Sequence, residues 1–183
     1  FVSQMPDLNH DNSFMTTYLI QNSIWWIEYA GLDGIRMDTY PYNKKEFMAA
    51  WAQRVYSEYP SFYLVGETWV ENEAQEAWWA GKNPETNSGY NSYLNSITDF
   101  PLCFAMHKAF KKDGDVQELY RVLSKDFLYF NPSANKIFAD NHDMDRFFHT
   151  INNNIAELKL ALTFLLTTRG IPQLFYGTEI LMK

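Results

Sequence analysis

Gly34-Ile35-Arg36-Met37-Asp38 is a short apolar run that ends in a carboxylate, and the recurrence of that pattern decides the fold. Phe62-Tyr63-Leu64-Val65 leads at once into Gly66-Glu67, Ser96-Ile97-Thr98 into Asp99, and Lys136-Ile137-Phe138-Ala139 into Asp140-Asn141-His142-Asp143. A fifth apolar run covers Ile171–Tyr176. Between these runs lie longer stretches of helical spacing. Phe14–Ala30 stops at Gly31, Lys44–Tyr59 is closed by Pro60, and a shorter helix is expected over about Glu71–Ala80. The polar loop Gly81–Asn95 follows, then helices near Pro101–Phe110 and Asp115–Phe127, and a strongly periodic one over Ile155–Thr168. Strand, loop and helix therefore recur from Asp33 to Phe62, Ser96, Lys136 and Ile171 without any repeat of sequence.

Strands joined through helices run parallel, and parallel strands are covered on both faces, which is why the apolar runs do not alternate. An open doubly wound sheet and a barrel both satisfy this rhythm. Four consecutive strands with an acid at or just past the C-terminal end favour the barrel. A barrel gathers those ends on one rim, whereas an open sheet spreads them along a line.

Composition narrows the partners. A net charge of −7 argues against nonspecific attraction to nucleic acid or anionic lipid. The single cysteine, Cys103, excludes an intrachain disulfide and a cysteine-clustered zinc site, and reads as a small buried hydrophobe. No run of about 18 apolar residues is present, so no membrane span is expected. Six Trp and twelve Tyr suit both a core and a sugar-binding cleft.

Two carboxylates on one rim can cleave a glycosidic bond, one protonating the leaving oxygen while the other attacks the anomeric carbon. Arg36 stands two residues before Asp38, so on a strand both side chains share a face. A guanidinium there favours the ionised, nucleophilic form of Asp38 and leaves Glu67 as the acid. The same spacing also serves a plain structural ion pair, a glutamate after a strand also caps a loop, and Asp140–Asp143 also reads as a turn.

Taken together, these segments resemble the α-amylase family, glycoside hydrolase family 13. Gly34–Asp38, Val65-Gly66-Glu67 and Phe138–Asp143 stand in that family's order and approximate spacing. Met5-Pro6-Asp7-Leu8-Asn9 looks like its short motif near the end of the domain inserted after the third strand, closest to the neopullulanase and cyclomaltodextrinase branch. Gly170–Gly177 looks like its eighth-strand motif. The resemblance implies a parallel (β/α)8 TIM barrel of which residues 1–183 are the C-terminal part, about strands 4 to 8. Residues 1–12 would end the inserted domain, and 13–183 would be strand-loop-helix units of the catalytic barrel.

It further implies a retaining hydrolase of α-glucans of the starch, maltodextrin, pullulan or cyclodextrin type. An α-glucan transglycosylase and a noncatalytic amylase-like binding module are the alternatives. Asp38 would be the nucleophile, Glu67 the acid/base and Asp143 the third carboxylate, gripping sugar hydroxyls. Arg36 would orient Asp38, and His142 would hydrogen-bond the sugar. Tyr40 and Trp69, two residues past the nucleophile and the acid, are stacking rings or ordinary loop packing. Arg146 would tie down the loop after Asp143. Trp25-Trp26 and Trp78-Trp79 lie on expected helices and suit the barrel exterior. No cofactor or metal is expected in this segment, since no second histidine stands at ligand spacing from His142; calcium belongs, if anywhere, to other portions of the full-length enzyme. A half barrel has open edges, so the isolated segment is expected to be poorly active.

Overall fold

The computed structural model describes residue 4, residues 6–81 and residues 89–183. Met5 of the short motif and most of the first half of the polar loop Gly81–Asn95 lie outside the described residues. The chain runs α1 (Ser13–Ala30), β1 (Gly34–Met37), α2 (Lys45–Glu58), β2 (Tyr63–Gly66), α3 (Glu73–Trp79), β3 (Ser96–Ile97) and α4 (Phe100–Phe110). It continues through α5 (Gln117–Leu123), β4 (Lys136–Phe138), α6 (Phe147–Thr150), α7 (Ile155–Thr167) and β5 (Ile171–Gln173).

Helix ends follow from local chemistry. Asn12, Asn72 and Asn154 each accept two backbone N–H bonds at the starts of α1, α3 and α7, satisfying donors that a helix leaves free. Gly31 ends α1 in the left-handed conformation. Two elements are shorter than their sequence patterns suggest. The stretch expected as one helix over Asp115–Phe127 starts only at Gln117, whose N–H the Asp115 side chain accepts, and breaks after Leu123 into a 3-10 turn at Asp126–Leu128. The last apolar run stops being a strand after Gln173.

All strand pairings are parallel. β1 pairs with β2 and β2 with β3, while β4 pairs with β5. A parallel bridge between Thr98 and Lys136, with the Asp99 N–H donating to the Lys136 carbonyl at 2.9 Å, links the two groups. Spatial order thus equals chain order, with no reversal. A doubly wound sheet must reverse, and a barrel wall must not. The five strands are an arc of barrel wall, the C-terminal part of a (β/α)8 barrel.

Alternation then assigns faces. Ile35, Met37 and Leu64 pack with Phe47, Trp51 and Val55 of α2 in one core. Ile137 packs with Leu102 and Met106 of α4 and Leu158 and Leu165 of α7 in a second. The intervening residues of β1 and β4, Arg36 and Lys136, project to the opposite, inner face. The edge strands β1 and β5 are the less covered ones, while most of β2 and β4 is buried. Phe14, Tyr18, Leu160 and Tyr176 are exposed. Trp25 and Trp26 are not covered by the barrel; both are half exposed and pack on each other and on Tyr29. Trp78 and Trp79 are partly buried, stacked on Tyr90 and set edge-on to Tyr40 respectively.

Candidate active site

Arg36 lies at the centre of the site. One terminal nitrogen meets Asp38 Oδ1 at 2.7 Å and the other meets Glu67 Oε1 at 2.7 Å. Strand register brings this about, because Arg36 stands beside Val65 and Met37 beside Gly66, so the two carboxylates follow the ends of adjacent strands. The expectation that Arg36 singles out Asp38 is corrected by this geometry. A planar guanidinium with several donors serves two carboxylates at once, so the pairing does not itself tell nucleophile from acid. Burial distinguishes them: the Asp38 side chain is 65% exposed and the Glu67 side chain 8%.

Glu67 is held at every polar atom. Its Oε2 accepts the Thr39 N–H at 2.8 Å, its own N–H donates to the Met37 carbonyl at 2.9 Å, and its carbonyl accepts the Tyr40 N–H at 3.1 Å. Thr39, the residue after Asp38, makes this possible by adopting φ 46 and ψ 37. A left-handed conformation for a β-branched residue costs about 1–3 kcal/mol and is found where surrounding contacts over-determine it.

His142 and Asp143 form a second pair on the loop after β4, with His142 Nε2 at 3.1 Å from Asp143 Oδ2 and both side chains open to solvent. The Asn141 side chain accepts the Asp143 N–H at 2.9 Å. The base of that loop is fixed from the helix layer, where the His107 ring and the Cys103 thiol both reach the Ala139 carbonyl. Arg146 anchors its far side by donating to the Tyr176 carbonyl at 2.7 Å and lying over the Phe175 ring at 4.1 Å. Among the described residues no hydrogen bond or ion pair joins His142 and Asp143 to Asp38 and Glu67.

Lys136, on the inner face of β4, feels the charges of Arg36 and Glu67. Burial, together with the nearby Arg36 charge, lowers this amine to about 8, while Glu67 pulls the other way. The inner faces of β1, β2 and β4 therefore look onto one space. A lysine opening an apolar strand is the only sequence signal it carried, and that signal passed unused.

The other two acids of the strand-end pattern are structural. Asp99 has no exposed surface; it caps α4 by accepting the Leu102 N–H at 2.9 Å and pairs with Arg169, which also holds Asp126. Asp140 is buried and accepts the Phe147 N–H at 2.9 Å, and burial raises its carboxyl above the ordinary value. Of the two expected stacking rings, one is corrected. Tyr40 has no exposed surface, so no sugar can lie on it; its ring packs in the core, edge-on to Trp79. Trp69 is 39% exposed, with one face stacked on Phe100 at 4.6 Å, so the ring is backed on one side and partly open to solvent. Among the described residues no group of three or more His, Cys, Asp or Glu converges on a metal position.

Comparison with known proteins bears on the family and the fold. The sequence matches the family described as alpha amylase, catalytic domain, over residues 1–183. A cyclomaltodextrin glucanotransferase of Niallia circulans is 33% identical over 98% of this chain, which spans 24% of that protein. The crystal structure of an alpha-amylase from Geobacillus thermoleovorans, complexed with acarbose, superposes with a TM-score of 0.88 at 33% identity, covering all of this chain and 40% of that one. A cyclomaltodextrinase shares the fold, with a TM-score of 0.81 at 24% identity over all of this chain and 30% of its own.

Proposed function

Because this chain belongs to the α-amylase family, we propose that it carries the catalytic centre of a retaining glycoside hydrolase of α-glucans, with Asp38 as nucleophile, Glu67 as acid/base and Asp143 as third carboxylate. The observation that supports this reading most is one guanidinium shared by an open carboxylate and a buried one. The open Asp38 is free to approach the anomeric carbon of a bound glucan. Glu67, pinned by Arg36 and Thr39, stands where it can protonate the departing oxygen. In the second step it takes a proton from the incoming water, which releases the sugar from Asp38. His142 and Asp143 grip the hydroxyls of the sugar being cleaved, and Trp69 offers it an apolar face.

The 33% identity to a cyclomaltodextrin glucanotransferase favours transglycosylation as the second reading. Both outcomes share the glycosyl-enzyme and differ only in whether water or a sugar hydroxyl arrives. Retention of Asp38, Glu67 and Asp143 weighs against a noncatalytic binding module. The activity proposed is that of the whole protein; the 183-residue segment alone, with its uncovered strand edges, is proposed to turn over poorly.

The test is mass spectrometry of the full chain after reaction with a fluorinated α-glucosyl fluoride, which forms the glycosyl-enzyme and then stalls. The added sugar should map to the peptide containing Asp38, and Asp38→Asn should abolish both the adduct and reducing-sugar release from maltooligosaccharides. An adduct on another residue, or unchanged turnover by Asp38→Asn, refutes the assignment. Chromatography of the products separates hydrolysis from transfer.

A further inference from the structure

Glu76 is a carboxyl group with no exposed surface, on α3 rather than on the barrel rim, and the chemistry above leaves it unused. Its Oε1 accepts the hydroxyl of Thr68, and its Oε2 meets no hydrogen-bond partner among the described residues. Glu73, three residues earlier, holds both Arg121 at 2.7 Å and Lys125 at 2.9 Å. An apolar side chain would fill the same volume without the cost of burying a carboxyl.

Thr68 directly follows Glu67. Its N–H donates to Thr98 Oγ1 at 2.9 Å, which ties it to the end of β3, and its hydroxyl ties it to Glu76 on α3. The preceding residue, Gly66, accepts the Thr98 N–H at 3.0 Å. Glu67 is therefore gripped at its tip and its own backbone from the β1 side, while its two neighbours, Gly66 and Thr68, are held from the β3 and α3 side. Among the described residues, the second grip alone involves the helix layer, through Glu76. We propose that Glu76 is a positioning residue for the reaction, fixing through the Thr68 hydroxyl the strand end from which Glu67 delivers its proton. The inference rests on the reading of Glu67 as the acid/base.

Burial, with Asp99 adding to it, raises the Glu76 carboxyl well above the ordinary carboxylate range against the opposing pull of Thr68. The proposal itself stands on the contacts of Thr68 with Glu76 and Thr98. A general acid must be held within about 0.5 Å of its productive position, so loss of the tie acts on proton delivery rather than on substrate binding.

The test compares two substrates in the full chain. Maltooligosaccharides have a poor leaving group that needs protonation, whereas the fluoride of α-maltosyl fluoride departs without it. Thr68→Val and Glu76→Leu should each lower kcat on maltooligosaccharide about tenfold at unchanged KM, and leave the first-turnover release of fluoride from α-maltosyl fluoride within about twofold. The double variant should lose no more than the worse single one, because both remove the same link. Glu76→Gln, uncharged and of the same shape, should recover most of the loss. Wild-type rates on maltooligosaccharide in Thr68→Val, which needs no change in the helix layer, overturn the proposal even where Glu76→Leu does not fold. Parallel losses on both substrates overturn it too, since they mark a merely structural role. Glu67→Gln, run alongside, should lose maltooligosaccharide but spare the first-turnover release of fluoride, with steady turnover of the fluoride restored by azide, which needs no general base. If it instead cleaves both, Glu67 is not the acid and the underlying reading falls as well. If it behaves as expected while Thr68→Val is silent, only the role of Glu76 falls.

Discussion

Replacing Arg36 tests the central geometry most directly. Arg36→Leu removes two contacts of 2.7 Å, one to each carboxylate. A hydrogen bond between charged groups contributes about 1.5–3 kcal/mol, and the value for Asp38 belongs at the low end because that side chain is largely solvated. The two together set a loss of about 3–4 kcal/mol in the positioning of the catalytic pair, or about 10²–10³ in kcat at about 1.4 kcal/mol per decade. Arg36→Lys is the informative comparison. An ammonium is a point charge that cannot span two carboxylates in the guanidinium fork, so it keeps one contact and should lose only about tenfold. Initial rates on maltooligosaccharides of defined length, with KM and kcat separated and circular dichroism to confirm folding, provide the measurement. The order wild type, lysine, leucine in kcat, with KM changing much less, is the expected result. If a folded Arg36→Leu retains kcat within about threefold of wild type, the shared guanidinium has no part in the chemistry.

Further expectations concern binding, backbone and pH. Trp69→Ala removes a ring backed by Phe100 and should raise KM by up to about tenfold with little change in kcat, while Trp69→Tyr recovers part of it; unchanged KM would place the sugar elsewhere. Gly170 has φ +108, and a Cβ there would lie 2.9 Å from the Asn135 carbonyl oxygen and 2.7 Å from the Ile137 side chain. Gly170→Ala should therefore lower stability by about 2 kcal/mol or more in denaturant titration, and an unchanged midpoint would contradict the close approach of the backbone before β5 to β4. Burial pushes the Glu73 carboxyl up, but hydrogen bonds from Lys125 and Arg121 outweigh it and hold the group below its ordinary value of 4.5. A carboxyl lowered by folding contributes stability above its unfolded value and loses it as pH falls through the folded one. Glu73→Gln should accordingly lower stability by about 1 kcal/mol at pH 7, a modest figure because both cations reach solvent. The difference from wild type should shrink as pH falls below 4.5, and a gap that widens instead would reverse the sign of the linkage.

Local signals carried much of the fold. Gly31 and the three asparagine caps stand where a helix must satisfy its own end groups, and the unalternating runs of β2 and β4 reflect burial on both faces. These effects are set within a few residues, so they are legible without neighbours. Arg36 and Asp38 share a face for the same reason, because side chains on a strand repeat every second residue. The ends of elements were less legible. The stretch Asp115–Phe127 has helical spacing throughout, yet the Asp115 side chain binds the chain ahead of it and the helix breaks at Ser124.

What sequence spacing alone established is therefore the order of units and the identity of the acids at the strand ends. Tertiary structure decided which of those acids are open to a substrate. Asp99 and Asp140 look as reactive as Asp38 in one dimension, but each accepts a helix-starting N–H, and Asp99 meets Arg169 from 70 residues away. The second half of Arg36's pairing, the burial of Tyr40, and the roles of Lys136 and Glu76 likewise depend on strand register and on helices packed from elsewhere. A side chain's charge belongs to its residue, whereas its solvation and partners belong to whichever segments fold against it.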